Sequence, residues 1–232
     1  MKTIWPRAQI MRIYLLSGLG ADQRLFGQLD AGTHHELIAL PWIPPGASRS
    51  LGDYARLLHE HYQLEPPFIL GGVSMGGMLA QEWAQLCRPE ALLLISTATS
   101  RNDMAGFIRT AAALRIGPVL NKSILELLGL IGDRFTAKSK EGRSLFKRML
   151  RESDPDWLAF GARAILDWEP PLLRQPYLRL HGSADRVFPP ADWPHCTLID
   201  GGNHFMTFDR AAELSGHIRA FADGLQSKAT AT

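Results

Sequence analysis

The chain of 232 residues is 46% hydrophobic and 21% charged, with 25 basic against 23 acidic side chains for a formal net charge of +2. At roughly 150 residues per domain this is one large domain, or one domain carrying an insertion, and it is long enough to bury a core without disulfides or metal. The charge balance lacks the strongly basic profile of a general nucleic-acid binder, no apolar run approaches the ~20 residues of a bilayer span, and Met1 to Gln9 lacks the apolar stretch of a signal peptide. A cytoplasmic protein is the expectation, with residues 1–10 a dispensable arm or an upstream start, because Met11 stands directly before a strand-like run. Cys87 and Cys196 lack the paired spacing of a disulfide framework or a zinc site and read as small buried hydrophobes.

Taken in order, short apolar runs alternate with amphipathic helical patterns, which is the signature of a parallel α/β fold. Ile10 to Ser17 reads as a first strand ended by Gly18-Leu19-Gly20, and Glu36 to Leu40 as a second stopped by Pro41. Ser50 and Asp53 form a capping-box start for a helix whose apolar face is Leu51, Tyr54, Ala55, Leu58 and Tyr62. Phe68 to Val73 is a third strand, followed at once by a helix through Met75, Met78, Leu79, Trp83 and Leu86. Ala91 to Thr97 is a fourth strand, apolar on both faces as a sheet covered by helices requires. Strands five and six fall at Tyr177 to His181 and Cys196 to Asp200, and a final helix runs from Phe205 to about Leu225.

Residues 101–170 interrupt this alternation with helical patterns alone. Phe107, Ile108 and Ala111 repeat at helical spacing, and Ser123 with Glu126 makes a second capping box. Asp154-Pro155 is a cap followed by proline at the first helical position, ahead of a stripe of Trp157, Leu158, Gly161, Ala164, Ile165 and Trp168. The expectation is therefore a core of residues 1–100 and 171–232 with a helical insertion at 101–170.

The chemistry is concentrated in Gly72-Val73-Ser74-Met75-Gly76-Gly77, a G-x-S-x-G pattern with a strand before it and a helix after it. In that setting a sharp turn presents the serine, and glycines two residues either side let neighbouring backbone pass close. A phosphate-binding turn is the competing reading, but Met78 and Leu79 stand where a P-loop lysine would be. Serine attack needs a base oriented by a carboxylate. Asp185, in His181-Gly182-Ser183-Ala184-Asp185, and His204, in Gly201-Gly202-Asn203-His204, follow the fifth and sixth strands in that order.

The other histidines fit less well. His34, His35, His59 and His61 precede the serine in polar loop or helix contexts and read as solvated surface residues, whereas His181 ends a strand as a packing or hydrogen-bonding residue. His195 and His217 begin a strand and sit inside the last helix. For the acid, Asp200 is the rival to Asp185. Two backbone amides must complete an oxyanion hole, and Met75, directly after the serine, and Leu19, in the loop after the first strand, are the candidates. A dinucleotide fingerprint beginning at Gly18 and Gly20 fails because Gln23 occupies the third glycine position.

These segments together resemble the α/β-hydrolase superfamily: Ser17 to Gly20 its oxyanion loop, Gly72 to Gly76 its nucleophile elbow, Gly182 to Asp185 its acid loop, and Gly202 to His204 its histidine loop. The resemblance covers roughly 10–100 and 175–222, and the insertion corresponds in position to the family's variable cap. Ser17 stands where the family often has histidine, and with only nine residues before the first run a reduced, mostly parallel sheet of about six strands is expected. The resemblance implies a Ser74, His204 and Asp185 triad working through an acyl-enzyme without metal or organic cofactor.

The leading expectation is a hydrolase of small to medium carboxylic esters, with apolar residues such as Phe107, Ile108, Leu125 and Leu128 lining its pocket. Thioesterase, lactonase and carbon–carbon bond hydrolase chemistry stay open within the fold, as does a receptor for small ligands that keeps the triad without turnover. Residues 101–151 hold eleven basic and four acidic side chains, either a solvated outer face or a field that attracts anionic substrates.

Overall fold

The apolar runs become six parallel strands: β1 (Met11–Leu16), β2 (His35–Ala39), β3 (Phe68–Val73), β4 (Ala91–Ile95), β5 (Tyr177–Gly182) and β6 (Cys196–Ile199). They form one sheet in the order β2-β1-β3-β4-β5-β6. The structure, a computed structural model, describes residues 10–117, 137–191, 193 and 195–229. The expected Ser123 and Glu126 capping box, with Leu125 and Leu128, lies outside the described residues.

Strand side chains alternate between two cores, because successive residues of a strand face opposite ways. Tyr14, Leu16, Leu70, Leu92 and Leu94 point to one side, against α1 (Leu51–His61) and α2 (Met75–Trp83). Ile13, Leu15, Ile69, Val73, Leu93 and Ile95 point to the other, where Leu214, Ile218 and Ala222 of the last helix cover them. Every residue of β3 and β4 is buried, consistent with their position at the centre of the sheet.

The helix starts were legible. Ser50 Oγ accepts from the Asp53 N–H at 3.1 Å while Asp53 Oδ2 accepts from the Ser50 N–H at 3.1 Å, closing the capping box of α1. Between β4 and β5 lie α3 (Gly106–Ala113), α4 (Lys140–Glu152) and α5 (Pro155–Leu166). The Asp154 side chain caps α5 by accepting from the Trp157 N–H at 2.8 Å. Of the apolar residues expected to line a pocket here, Ile108 is buried but Phe107 is 67% exposed.

Three expectations are corrected. The final helix is two: α6 (Met206–Asp209) and α7 (Ala211–Ala229), broken at Arg210, whose backbone leaves the helical region at φ −130° and ψ 30°. The Asp209 carboxylate accepts from the Lys138 N–H at 2.7 Å and the Ser139 hydroxyl at 2.5 Å, while the Arg210 carbonyl accepts from Glu213 and Leu214 to begin α7. His34, His59 and His61 are exposed, but His35 is buried, its Nε2 3.0 Å from Asp223 Oδ1, because α7 packs over the edge strand β2. Cys87 and Cys196 are half-buried free thiols rather than core residues.

A buried ion pair fastens the start of the segment between β4 and β5 to the sheet. Arg179 of β5 donates to Asp103 Oδ2 at 2.8 Å, with both side chains almost fully inaccessible at 3% and 6%. Burial alone would raise the Asp103 carboxyl; hydrogen bonds from Thr99 and Ser100, with the Arg179 charge, outweigh it and hold the group below its usual value. Removing one partner of a buried pair strands the other charge, so Asp103→Ala is expected to cost about 3–5 kcal/mol in urea unfolding. Arg12→Ala, which breaks the half-exposed Arg12–Glu36 contact, is expected to cost under about 1 kcal/mol in the same assay.

Candidate functional site

In a parallel sheet all strands end on one edge, so the loops after β1, β3, β5 and β6 gather there. Ser74 occupies the turn between β3 and α2 at φ 56° and ψ −122°, a conformation that costs a non-glycine residue about 1–3 kcal/mol. Its backbone is held on both sides: the N–H donates to Ile95 O of β4 at 3.0 Å, and the carbonyl accepts from Gly77 N–H, Met78 N–H and the Thr97 hydroxyl at 3.0, 3.2 and 2.6 Å.

The flanking glycines are steric necessities. A Cβ on Gly76 would lie 2.2 Å from both the Leu16 and Ser17 carbonyl oxygens, and one on Gly72 would lie 2.4 Å from the Gly76 carbonyl carbon. The end of β1 therefore lies directly on the first turn of α2. A Cβ on Gly18 would sit 3.2 Å from Ser74 Cβ, so the loop after β1 passes over the serine. That loop is folded on itself by Ala21 N–H to Gly18 O at 3.1 Å and Ser17 Oγ to Ala21 O at 2.8 Å. Among the described residues neither the Leu19 nor the Met75 amide donates to a protein acceptor. The side chains of both residues meet α5 at Gly161, where a Cβ would fall 2.7 Å from Leu19 Cδ1 and 2.9 Å from Met75 Sδ.

Asp185 and His204 are brought together by two interlaced loops. Ser183 N–H donates to Ile199 O at 3.0 Å and Ala184 N–H to Gly202 O at 2.8 Å, an approach that only glycine at 182 permits, since a Cβ there would lie 2.3 Å from Gly202 O. His204 Nδ1 stands 2.8 Å from Asp185 Oδ2. Asp185 Oδ1 accepts from the Val187 and Phe188 N–H groups at 2.8 and 3.0 Å, which fixes the carboxylate plane. The rival Asp200 is exposed, and among the described residues its Oδ1 accepts only from the Ser183 hydroxyl, at 3.4 Å.

Ser74 Oγ makes no hydrogen bond to another described residue. Two neighbours of the pair were not singled out in the sequence as site residues. His181 Nε2 is 3.2 Å from Asp185 Oδ2, and the Phe188 ring meets the His204 ring edge-on at 5.4 Å. The position of His181 at a strand end, before a glycine, signals a packing or hydrogen-bonding residue without naming its partner.

Among the described residues no group of three or more His, Cys, Asp or Glu side chains is arranged to hold a metal, and no helix is long and apolar enough to cross a membrane. Cys87 is no rival nucleophile, since burial pushes its thiol up to about 11. A cavity of about 300 Å³ lies beside the loop after β1, walled by Ala21, Trp42, Ile43, Met149 and Trp157. Several cations of the segment between β4 and β5 are tied down: Arg101 to Glu169 at 2.8 Å, Lys138 to Gly201 O at 2.5 Å, and Arg143 to Lys138 O.

Burial alone would raise the Asp185 carboxyl, but His204, assisted by His181, outweighs it and holds the group well below the usual carboxylate range. With the folded value depressed, the unfolded chain binds the proton more readily, so this stabilisation is fully present above about pH 5 and is lost as pH falls below the unfolded value near 4. The difference in unfolding free energy between wild type and Asp185→Asn, followed by urea titration from pH 6 to pH 3, is expected to shrink steadily toward the acid end.

Comparison with known proteins agrees with this architecture. A family model described as the alpha/beta hydrolase family matches residues 13–217. Among solved structures, a thermophilic esterase from Thermogutta terrifontis is 19% identical, with 93% of this chain and 90% of that one covered at a TM-score of 0.68. An esterase from Exiguobacterium antarcticum is 16% identical, covering 92% of each chain at 0.66. A thioesterase of the prodiginine biosynthetic pathway from Streptomyces coelicolor is 19% identical, covering 93% and 96% at 0.58. At these identities the likeness is one of fold. No curated protein matches the chain. The match across residues 13–217, on a parallel six-stranded sheet with a strained serine turn at its centre, places the chain in the alpha/beta hydrolase family.

Proposed function

We propose that this hydrolase cleaves small to medium carboxylic esters through an acyl-enzyme intermediate, with Ser74 as nucleophile, His204 as general base and then acid, and Asp185 as the orienting carboxylate. The observation that carries the reading is the 2.8 Å contact of His204 Nδ1 with Asp185 Oδ2. Nδ1 then carries the ring hydrogen, which leaves Nε2 as the basic nitrogen on the sheet edge that also bears Ser74.

In this mechanism Ser74 Oγ attacks the acyl carbonyl as His204 Nε2 takes its proton, and Asp185 stabilises the imidazolium that forms. The oxyanion is received by the Leu19 and Met75 amides, both without a protein acceptor among the described residues. His204 returns the proton to the departing alcohol. Water, deprotonated by the same ring, then attacks the acyl-enzyme and releases acid and free serine. In this reading residues 101–170 act as a cap over a core of 1–100 and 171–232, a reading supported by the close packing of α5 at Gly161 on the Leu19 and Met75 side chains.

A thioester would be attacked in the same way, so assays pair p-nitrophenyl esters of increasing chain length with the matching acyl thioesters. Ester hydrolysis is expected to exceed thioester hydrolysis at equal acyl length. Ser74→Ala and His204→Ala are each expected to lower kcat by on the order of 10⁴-fold or more, and Asp185→Asn by a comparable amount, whereas Asp200→Asn stays near wild type. Hydrolysis that survives Ser74→Ala overturns the assignment, and wild-type protein that binds the esters without turnover establishes the receptor reading instead.

A further inference from the structure

We infer that His181 is a positioning residue of this site, holding the Asp185 carboxylate and the 185–188 turn in register with His204. The inference rests on the triad reading above but stands on separate contacts. His181 lies at the end of β5 and is fully buried. Its Nε2 donates to Phe188 O at 2.8 Å and lies 3.2 Å from Asp185 Oδ2. Both neighbours are acceptors, so Nε2 carries the ring hydrogen. Nδ1 is buried with no hydrogen-bond partner among the described residues, so the polar contacts of the ring run through Nε2.

That one donor closes a small circuit. Asp185 Oδ1 accepts from the Val187 and Phe188 N–H groups, while the carbonyl of the same Phe188 is gripped by His181. The Phe188 ring then stands edge-on to the His204 imidazole. Holding Phe188 O therefore fixes at once the carboxylate that orients His204 and the apolar wall its ring rests on. The His181 ring is braced in turn by Trp193, edge-on at 4.6 Å, and the Trp193 ring lies under the Arg179 guanidinium at 3.7 Å. Arg179 is committed to Asp103. The ionisable rings placed against the Asp185 carboxylate are His204 at 2.8 Å and His181 at 3.2 Å.

Glutamine keeps an N–H near the Nε2 position and phenylalanine keeps the ring without it, which separates the hydrogen bond from the packing. His181→Phe is expected to lower kcat for a p-nitrophenyl ester about ten- to hundredfold with KM little changed, the scale of one lost buried hydrogen bond. Its acid limb of kcat/KM is expected to move to higher pH, because an Asp185 relieved of one donor holds the His204 proton more strongly. His181→Gln is expected to restore both quantities to near wild type. A role in packing alone would lower the melting temperature of both variants and leave the acid limb in place. Proton NMR of the free protein reads the same contact without turnover: the downfield His204 Nδ1–H resonance is expected to shift or broaden away in His181→Phe and persist in His181→Gln. His181→Met serves as the donor-free variant if His181→Phe does not fold. Wild-type kcat, acid limb and resonance in a folded donor-free variant would overturn the inference. A wild type that shows the resonance but hydrolyses no ester would contradict the triad reading, and the resonance would still decide the role of His181.

Discussion

The close approach of two backbones at Gly76 governs the rest of the site. With the Leu16 and Ser17 carbonyls lying where a Cβ at position 76 would be, α2 can start only where β1 ends. The chain between β3 and α2 must turn within one residue, and that residue, Ser74, takes the positive φ the turn demands. Four hydrogen bonds of the Ser74 backbone, with β4, Thr97 and the first turn of α2, offset the conformational cost and keep the turn rigid. The same compression brings the loop at Gly18 over Ser74 and, among the described residues, leaves the Leu19 and Met75 amides without protein acceptors.

The second half of the site repeats this logic with different residues. Gly182 and Gly202 allow the loops after β5 and β6 to touch, and their crossed hydrogen bonds carry Asp185 to His204. A carboxylate in such a buried place is costly unless it is ringed by donors. Asp185 has two backbone N–H groups on one oxygen and two imidazoles facing the other. The buried Arg179–Asp103 pair fastens β5, the strand that leads to Asp185, to the start of the segment between β4 and β5. Asp185 is thus set by a layered arrangement in which each polar group is the partner of the next.

Much of this could be read from the sequence because its causes are local. Apolar runs flanked by glycine and proline located the six strands to within two residues, and the Ser50–Asp53 and Asp154–Pro155 signals located two helix starts. The glycines around Ser74, Asp185 and His204 marked places where backbones must approach. The misreadings have non-local causes. His35 looked like a surface residue until α7, some 190 residues later in the chain, covered it with Asp223. The break at Arg210 stands beside Asp209, whose carboxylate is engaged by Lys138 and Ser139, far away in sequence. Phe107 has a helical spacing that indicates burial, yet it faces outward, because periodicity identifies a stripe without saying what covers it. His181 read as a packing or hydrogen-bonding residue, and its partners belong to the turn at 185–188, which the strand pattern does not describe. The count of basic residues in 101–151 does not say which of them are engaged, and Arg101, Lys138 and Arg143 make hydrogen bonds.

The central claim is that the strained turn at Ser74 presents a nucleophile activated by the His204–Asp185 pair. Peptide mass spectrometry after treatment with a fluorophosphonate tests it most directly, since the reagent traps an activated serine and leaves ordinary hydroxyls unmodified. The account predicts one phosphonyl group per chain, carried by Ser74, with modification abolished in His204→Ala. An adduct on another residue, or an unmodified Ser74 in protein that still hydrolyses esters, would contradict it.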